Sequence, residues 1–180
     1  MMLSRVTGKQ GLASAMVLAA TGLAVTGVLA ANNRICIDAE NTTSMETPLK
    51  KVLPGVSKQY SGRGFLEIPW DKNETKGVGQ AGYRINVKTA GTYTLWARTY
   101  WMNGCGNSIA VSVNGGPVAV IGEDGTYDKW HWPESTVRVK LKAGTNTLVL
   151  KNRETGVRVD QFFLSQDPDY TPTGIRKATQ

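Results

Sequence analysis

The chain has 180 residues, a formal net charge of +7 and a 41% share of hydrophobic residues, enough for one cored domain with a short appendage. The positive charge is scattered, without a Lys/Arg block interleaved with aromatics, which excludes a nucleic-acid-binding stripe. A basic surface still suits acidic glycans or an anionic cell surface.

The N-terminus is short and basic, with Arg5 and Lys9, and Gly11 to Ala31 then runs without a charge. Val28-Leu29-Ala30 places small residues where a signal peptidase reads, completing the three-part pattern of a secretory signal over residues 1–30. Cleavage is expected after Ala30, with Ala31 as the next candidate. The competing reading is an uncleaved membrane anchor, because the run approaches the ~20 residues that span a bilayer. Its Ala, Gly, Thr and Val content favours the signal, and hence a secreted or cell-surface protein. Export permits a disulfide between Cys36 and Cys105; the alternative is a pair of thiols, with Cys105 small and buried. Zinc-type Cys and His spacings are absent.

From Arg34 onward short runs rich in Val, Ile, Tyr and Trp alternate with turn residues, the pattern of strands. Arg34 to Glu40 is the first, and Gly64 to Trp70 follows a long loop. Gly82 to Lys88 alternates Tyr83, Ile85 and Val87 with polar residues, and an Ala-Gly turn leads into Thr92 to Trp101. Ser108 to Asn114 and Pro117 to Ile121 are joined by Asn114-Gly115-Gly116, residues that tolerate positive φ in a hairpin. Thr136 to Leu141, Thr145 to Lys151 and Val157 to Leu164 complete the set. No window carries the apolar period of a sustained helix. Nine or ten short strands at this spacing predict an all-β jelly-roll sandwich of two antiparallel sheets over residues 31–166. A polar, Pro-containing tail, 167–180, either pads the sandwich or serves as a linker stub.

Tyr127 to Glu134 reads YDKWHWPE, two tryptophans around the only histidine. It could stack a sugar, hold a metal or catalytic group, or pack a core. In a strand Trp130 and Trp132 share a face and His131 points to the other. Catalysis is not expected of His131, since no orienting partner and nucleophile accompany it in a recognisable motif. Zinc would want four N/S ligands. Trp96 is expected to be packed, with Thr94 and Arg98 on its face.

The opening IDAEN, the strand GTYTLWART, VSVNGGP, the Trp-rich stretch, VKLKAGTNTLVL and the closing GVRVDQFFL occur in an order that resembles carbohydrate-binding modules of families 6 and 35. The resemblance covers roughly Ile35 to Asp169. CGNS, WHW and YTPTG are similar to a subgroup of such domains in bacterial exported proteins. The resemblance implies a structural calcium held by Asp38, Glu40 and Asp160; Asp38 and Glu40, at i and i+2, project from one strand face, and oxygen ligands suit calcium. It also implies a sugar site of loop-edge aromatics, for which Trp130, Trp101, Tyr127, Asn107 and Arg158 are the candidates. Trp130 is expected partly exposed and Trp132 packed in the core. Arg158 stands where the family places a ligand Asn; an Arg there would favour an acidic sugar. The expected function is an exported, non-catalytic carbohydrate-binding protein whose partner is a polysaccharide or glycan. The alternative is a self-assembling structural subunit of an extracellular filament, matrix or surface layer.

Overall fold

The structure, a computed structural model, describes residues 33–73 and 77–180. The leader expected at residues 1–30 lies outside the described residues. Twelve strands appear, and no helix among the described residues. They are β1 Arg34–Asp38, β2 Ser44–Met45, β3 Lys50–Val52, β4 Phe65–Ile68, β5 Gln80–Val87, β6 Gly91–Trp101, β7 Ser108–Val113, β8 Ala119–Gly122, β9 Trp130–His131, β10 Arg138–Leu141, β11 Gly144–Lys151 and β12 Val157–Ser165. All pairings between strands are antiparallel.

The first sheet runs β10-β6-β12-β4-β3, with β1 continuing along β12 and β9 along β6; the second runs β2-β5-β11-β7-β8. Alternation dictates which side chains meet between them. Along β5 Ala81, Tyr83, Ile85 and Val87 are buried, while Gln80, Arg84 and Asn86 face solvent. Leu95, Ala97, Trp101, Phe162 and Leu164 of the first sheet meet Tyr83, Ile85, Ile109, Leu148 and Leu150 of the second in one core. Tyr83 packs edge-on against Phe162 at 5.1 Å and donates its hydroxyl to the Ala39 carbonyl at 2.9 Å.

The central strands β6 and β12 are buried on both faces. A second cluster on the outer face of the first sheet explains this: Cys36, Trp96 and Phe163, with Trp132 and Tyr170 packed on them. The segment after β12 forms the lid of that cluster, so the polar tail is part of the fold. Tyr170 stacks on Phe163 at 5.2 Å, and the Arg34 guanidinium lies 3.8 Å from the Tyr170 ring centroid. Gln161 and Arg176 exchange two hydrogen bonds, at 2.7 and 2.9 Å. Thr179 N–H donates to the Cys36 carbonyl, and Gln180 and Asn86 exchange a further pair. The bonds to Gln161 and Cys36 meet backbone and amide groups that a buried strand could not leave unpaired, whereas the Gln180–Asn86 pair lies in solvent.

The cysteines do not pair: Cys36 is a buried free thiol and Cys105 an exposed one. Cys36 sits beside Phe163, which pairs with Trp96, whereas Cys105 lies beyond Trp101. Trp96 to Trp101 alone spans roughly 17 Å at ~3.3 Å per strand residue, far beyond the ~7 Å between Cα atoms that a bridge allows. Burial, then the Asp38 and Asp160 charges, push the Cys36 thiol up to about 12.

Candidate functional site

The WHW stretch begins as a short strand of the first sheet, with its tryptophan rings on the outer face and its histidine on the inner one. β9 pairs with β6, Tyr100 opposite Trp130 and Thr99 opposite His131. His131 therefore turns inward, edge-on to Trp101 at 5.9 Å, and bonds Asp124 at 2.7 Å. Its other ring nitrogen lies 3.1 Å from the Lys129 carbonyl. Trp132 was expected in the core; it instead joins the outer cluster, half-buried, its indole N–H donating to the Gly174 carbonyl at 2.8 Å.

Trp130 is half-buried and wedged by aromatic edges, Phe65 at 5.4 Å and Tyr100 at 5.6 Å. The Arg98 guanidinium lies 5.5 Å from its ring centroid. Beside it opens a cavity of about 330 Å³ lined by Lys58, Gln59, Arg98, Tyr100, Asp128, Lys129 and Trp130. Arg98 is buried and held at two points, by Asp160 at 2.5 Å and by the Gln59 carbonyl at 3.0 Å. Its charge is thus answered from within, and Lys58 and Lys129 outnumber Asp128 at the rim.

The other expected sugar residues divide. Trp101 is 0% exposed, so no face of its ring can meet a ligand. It belongs to the core because β6 alternates, and Tyr100, not Trp101, faces out. Asn107 is not at this groove: its N–H donates to Glu154 at 3.0 Å and its carbonyl accepts from Glu123 at 2.8 Å. Tyr127 is exposed at the loop end of the sandwich, near Gly104. Arg158 lies close to Trp130's neighbours, 5.5 Å from the Phe65 centroid and 5.2 Å from that of Tyr100. It bonds Glu67 at 3.0 Å, and Glu67 also binds Lys50 at 3.0 Å. Burial would raise the Glu67 carboxyl, yet hydrogen bonds from Lys50 and Arg158 hold it below the usual range. Arg158 is therefore engaged and not a free clamp.

Sequence reasoning missed Trp70, which is 60% exposed. It flanks Gly156 with Met102, both within 3.7 Å of where a Cβ there would stand. The signal available was a tryptophan following Pro69, at a strand end and directly before the polar run Asp71-Lys72-Asn73. Trp70, Met102 and Tyr127 are the exposed apolar residues of that loop end.

The carboxylates read as calcium ligands also divide. A bulge between Val159 and Gln161 turns Asp160 out of register. Its fully buried carboxylate accepts from Ser61 N–H at 2.7 Å, the Ser61 hydroxyl at 2.8 Å and Arg98. Burial pushes this carboxyl up, against the pull of Ser61 and Arg98. Asp38 accepts from Gln161 at 2.9 Å, and Glu40 accepts from the Arg63 N–H at 2.9 Å. The second Glu40 oxygen is buried with no partner among the described residues. Burial first, then Asp38 and Asp160, push the Glu40 carboxyl upward against the Arg63 N–H. Gly62 makes room here: a Cβ would stand 2.1 Å from a Glu40 oxygen and 3.1 Å from one of Asp38. Asp38 and Glu40 thus suit a hard cation, whereas Asp160 is occupied by Ser61 and Arg98. Among the described residues no three His, Cys, Asp or Glu side chains converge as a complete metal-ligand set.

No protein-family model matches the chain, and no curated protein does. Solved structures do. The GH26-CBM35 β-(1,4)-mannanase of Podospora anserina is similar over 78% of this chain and 29% of its own, with 21% identity and a TM-score of 0.60. An exo-β-1,3-galactanase of Phanerochaete chrysosporium is similar over 73% of this chain and 29% of its own, at 16% identity and a TM-score of 0.55. This chain thus spans less than a third of either enzyme. A family 35 carbohydrate-binding module of Clostridium thermocellum is matched over 96% of its length and 73% of this chain, at 19% identity and a TM-score of 0.55. These likenesses establish the fold, a jelly-roll sandwich of the type found in carbohydrate-binding modules.

Proposed function

We propose that this chain is an exported, non-catalytic carbohydrate-binding protein whose platform is the Trp130 groove. The supporting observation is the half-buried Trp130 ring, braced by Phe65, Tyr100 and Arg98 and bordering an open cavity of about 330 Å³. That volume is in the range of small-ligand sites. An indole braced by T-shaped contacts with Phe65 and Tyr100 and by the Arg98 guanidinium over its ring is held at little entropic cost, and the amide of Gln59, the Asp128 carboxylate and the two lysines supply groups for hydroxyls. Lys58 and Lys129 tilt the preference toward a glycan bearing carboxylates. A calcium ion, if bound, would be held by Asp38 and Glu40, where it would neutralise two carboxylates at the junction of β1 with the loop before β4.

Affinity gels containing polygalacturonate, alginate, mannan, xylan or β-1,3-galactan test the reading, run with calcium and with chelator. Retardation is expected on an acidic polymer, and Lys58→Glu with Lys129→Glu should abolish it. Mobility unchanged in every polymer would refute the reading.

A second reading rests on the β8 edge, where Val118 and Val120 are 53% and 43% exposed. An unpaired apolar edge invites another chain, as a self-assembling subunit of a matrix or filament would use. Sedimentation separates the two: a binder runs as a monomer, a subunit as a concentration-dependent series.

A further inference from the structure

The outer face of the first sheet carries a second cavity, of about 470 Å³, beyond Arg98 from the Trp130 groove. Thr94, Trp96, Trp132 and Arg138 line it from the sheet side, and Pro168 and Thr171 from the C-terminal segment. The pocket exists because that segment folds back. Tyr170 stacks on Phe163, and Gly174 receives the Trp132 N–H, which fixes both the segment and the Trp132 ring.

Two of its lining residues carry unmet polar groups. The Thr94 hydroxyl and the Trp96 indole N–H are buried without a hydrogen-bond partner among the described residues. The residues themselves are 6% exposed each. Buried groups of this kind are normally paired, and leaving them unpaired is costly. An indole N–H can only donate, whereas a hydroxyl both donates and accepts. Neighbouring polar groups do not relieve them: the Ser135 hydroxyl is spent on the Leu95 carbonyl at 2.5 Å. Glu134 and Arg138 place one charge of each sign at the rim, so the pocket has no net preference for a charged ligand.

We infer that this cavity is a second ligand site, which takes a ring of a neutral sugar between Trp96, Trp132 and the C-terminal segment. The match is chemical. A pyranose offers C–H faces to two indoles, and a small outward shift of the C-terminal segment at the exposed Thr171 would bring its hydroxyl oxygens to the Trp96 N–H and the Thr94 hydroxyl, both sealed from solvent in the free chain. The volume lies within the ordinary range of ligand pockets. The site differs from the Trp130 groove in its charge and its residues, so either can fail without the other.

The five tryptophans give five indole N–H signals, and the Trp96 signal reports on this pocket alone. The ¹⁵N-labelled full chain is titrated with mannohexaose, xylohexaose and β-1,3-galactotriose, the Trp96 signal being assigned through the backbone. The Trp96 signal should shift downfield with at least one of these probes, as a free N–H gains an acceptor. The response should persist in Trp130→Ala, weaken by about tenfold in Thr94→Val, and disappear in Thr171→Trp, which fills the pocket from the exposed segment. A Trp96 signal unmoved by all three sugars up to about 10 mM, a range that covers even weak affinities, overturns the proposal. So does a response that vanishes in Trp130→Ala while the other signals stay in place.

Discussion

Removing the Trp101 ring and removing the Trp130 ring should leave opposite signatures. Trp101→Ala empties a fully buried core position and should cost about 3–5 kcal/mol of stability, read from urea unfolding. Trp130→Ala deletes a half-buried ring on the outer face and should cost less in stability while weakening polysaccharide binding by at least about tenfold. A Trp101 variant that folds at full stability would contradict its core position. Glu40 gives the pH prediction. Its carboxyl is raised by burial and by Asp38 and Asp160, so the folded state holds a proton where the unfolded chain has lost it. Stability should therefore fall as pH rises out of the ordinary carboxylate range into the raised one. Glu40→Gln should reduce that fall in thermal melts without calcium, leaving the share of the likewise raised Asp160, and should also remove any gain in melting temperature that calcium gives. Of the residues singled out from the sequence, Trp130 and Arg158 lie on one face of the sheet, on either side of Tyr100, because period-2 alternation fixes facing. Trp101 was misread because a run such as RTYW does not say which of two adjacent aromatics looks inward. Asn107 was misread because a loop residue has no period at all.

At the level of elements, the long strands were legible to within two residues at most of their ends: β5, β6, β7, β11 and β12 follow alternation and are closed by Gly and Asn turns. The short β2 and β3 were not, since two or three residues cannot display a period. The C-terminal segment was the least legible piece. It has neither alternation nor helical spacing, and it is held by individual bonds to partners more than a hundred residues away, such as Thr179 to Cys36. Truncation after Gln166 should uncover Trp132, Phe163 and Cys36, lower stability, and make the protein bind a hydrophobic dye. A truncated chain that melts like the full one and binds no dye would show the segment to be dispensable. Thiol labelling reads the same region. At pH 8 a thiol reagent should modify Cys105 at once and Cys36 only after unfolding, because Cys36 is buried and its thiol is pushed to about 12. Equal and immediate labelling of both, or of neither, contradicts the placement.

At the level of the whole molecule, one sheet is plain and the other is furnished. The second sheet presents alternating polar residues to solvent along β5 and exposed valines at its β8 edge. The first carries on its outer face the Trp130 groove, the buried Arg98–Asp160 pair and the lidded Trp96 cavity. Arg98 ties these together: it braces Trp130, bonds the loop at Gln59 and answers the charge of Asp160 in the bulge of β12. Arg98→Ala leaves a buried carboxylate unpaired and should cost about 3–5 kcal/mol in unfolding experiments, with loss of groove binding in the same variant. Whether the Trp130 ring carries the binding is read by titration calorimetry of the acidic polysaccharide best retained in gels, against the wild type and Trp130→Ala. Saturable heat is expected with the wild type, and at least about a tenfold weaker affinity in the variant at unchanged fold. Equal affinity in the two, or no heat with the wild type, would contradict that role of the ring.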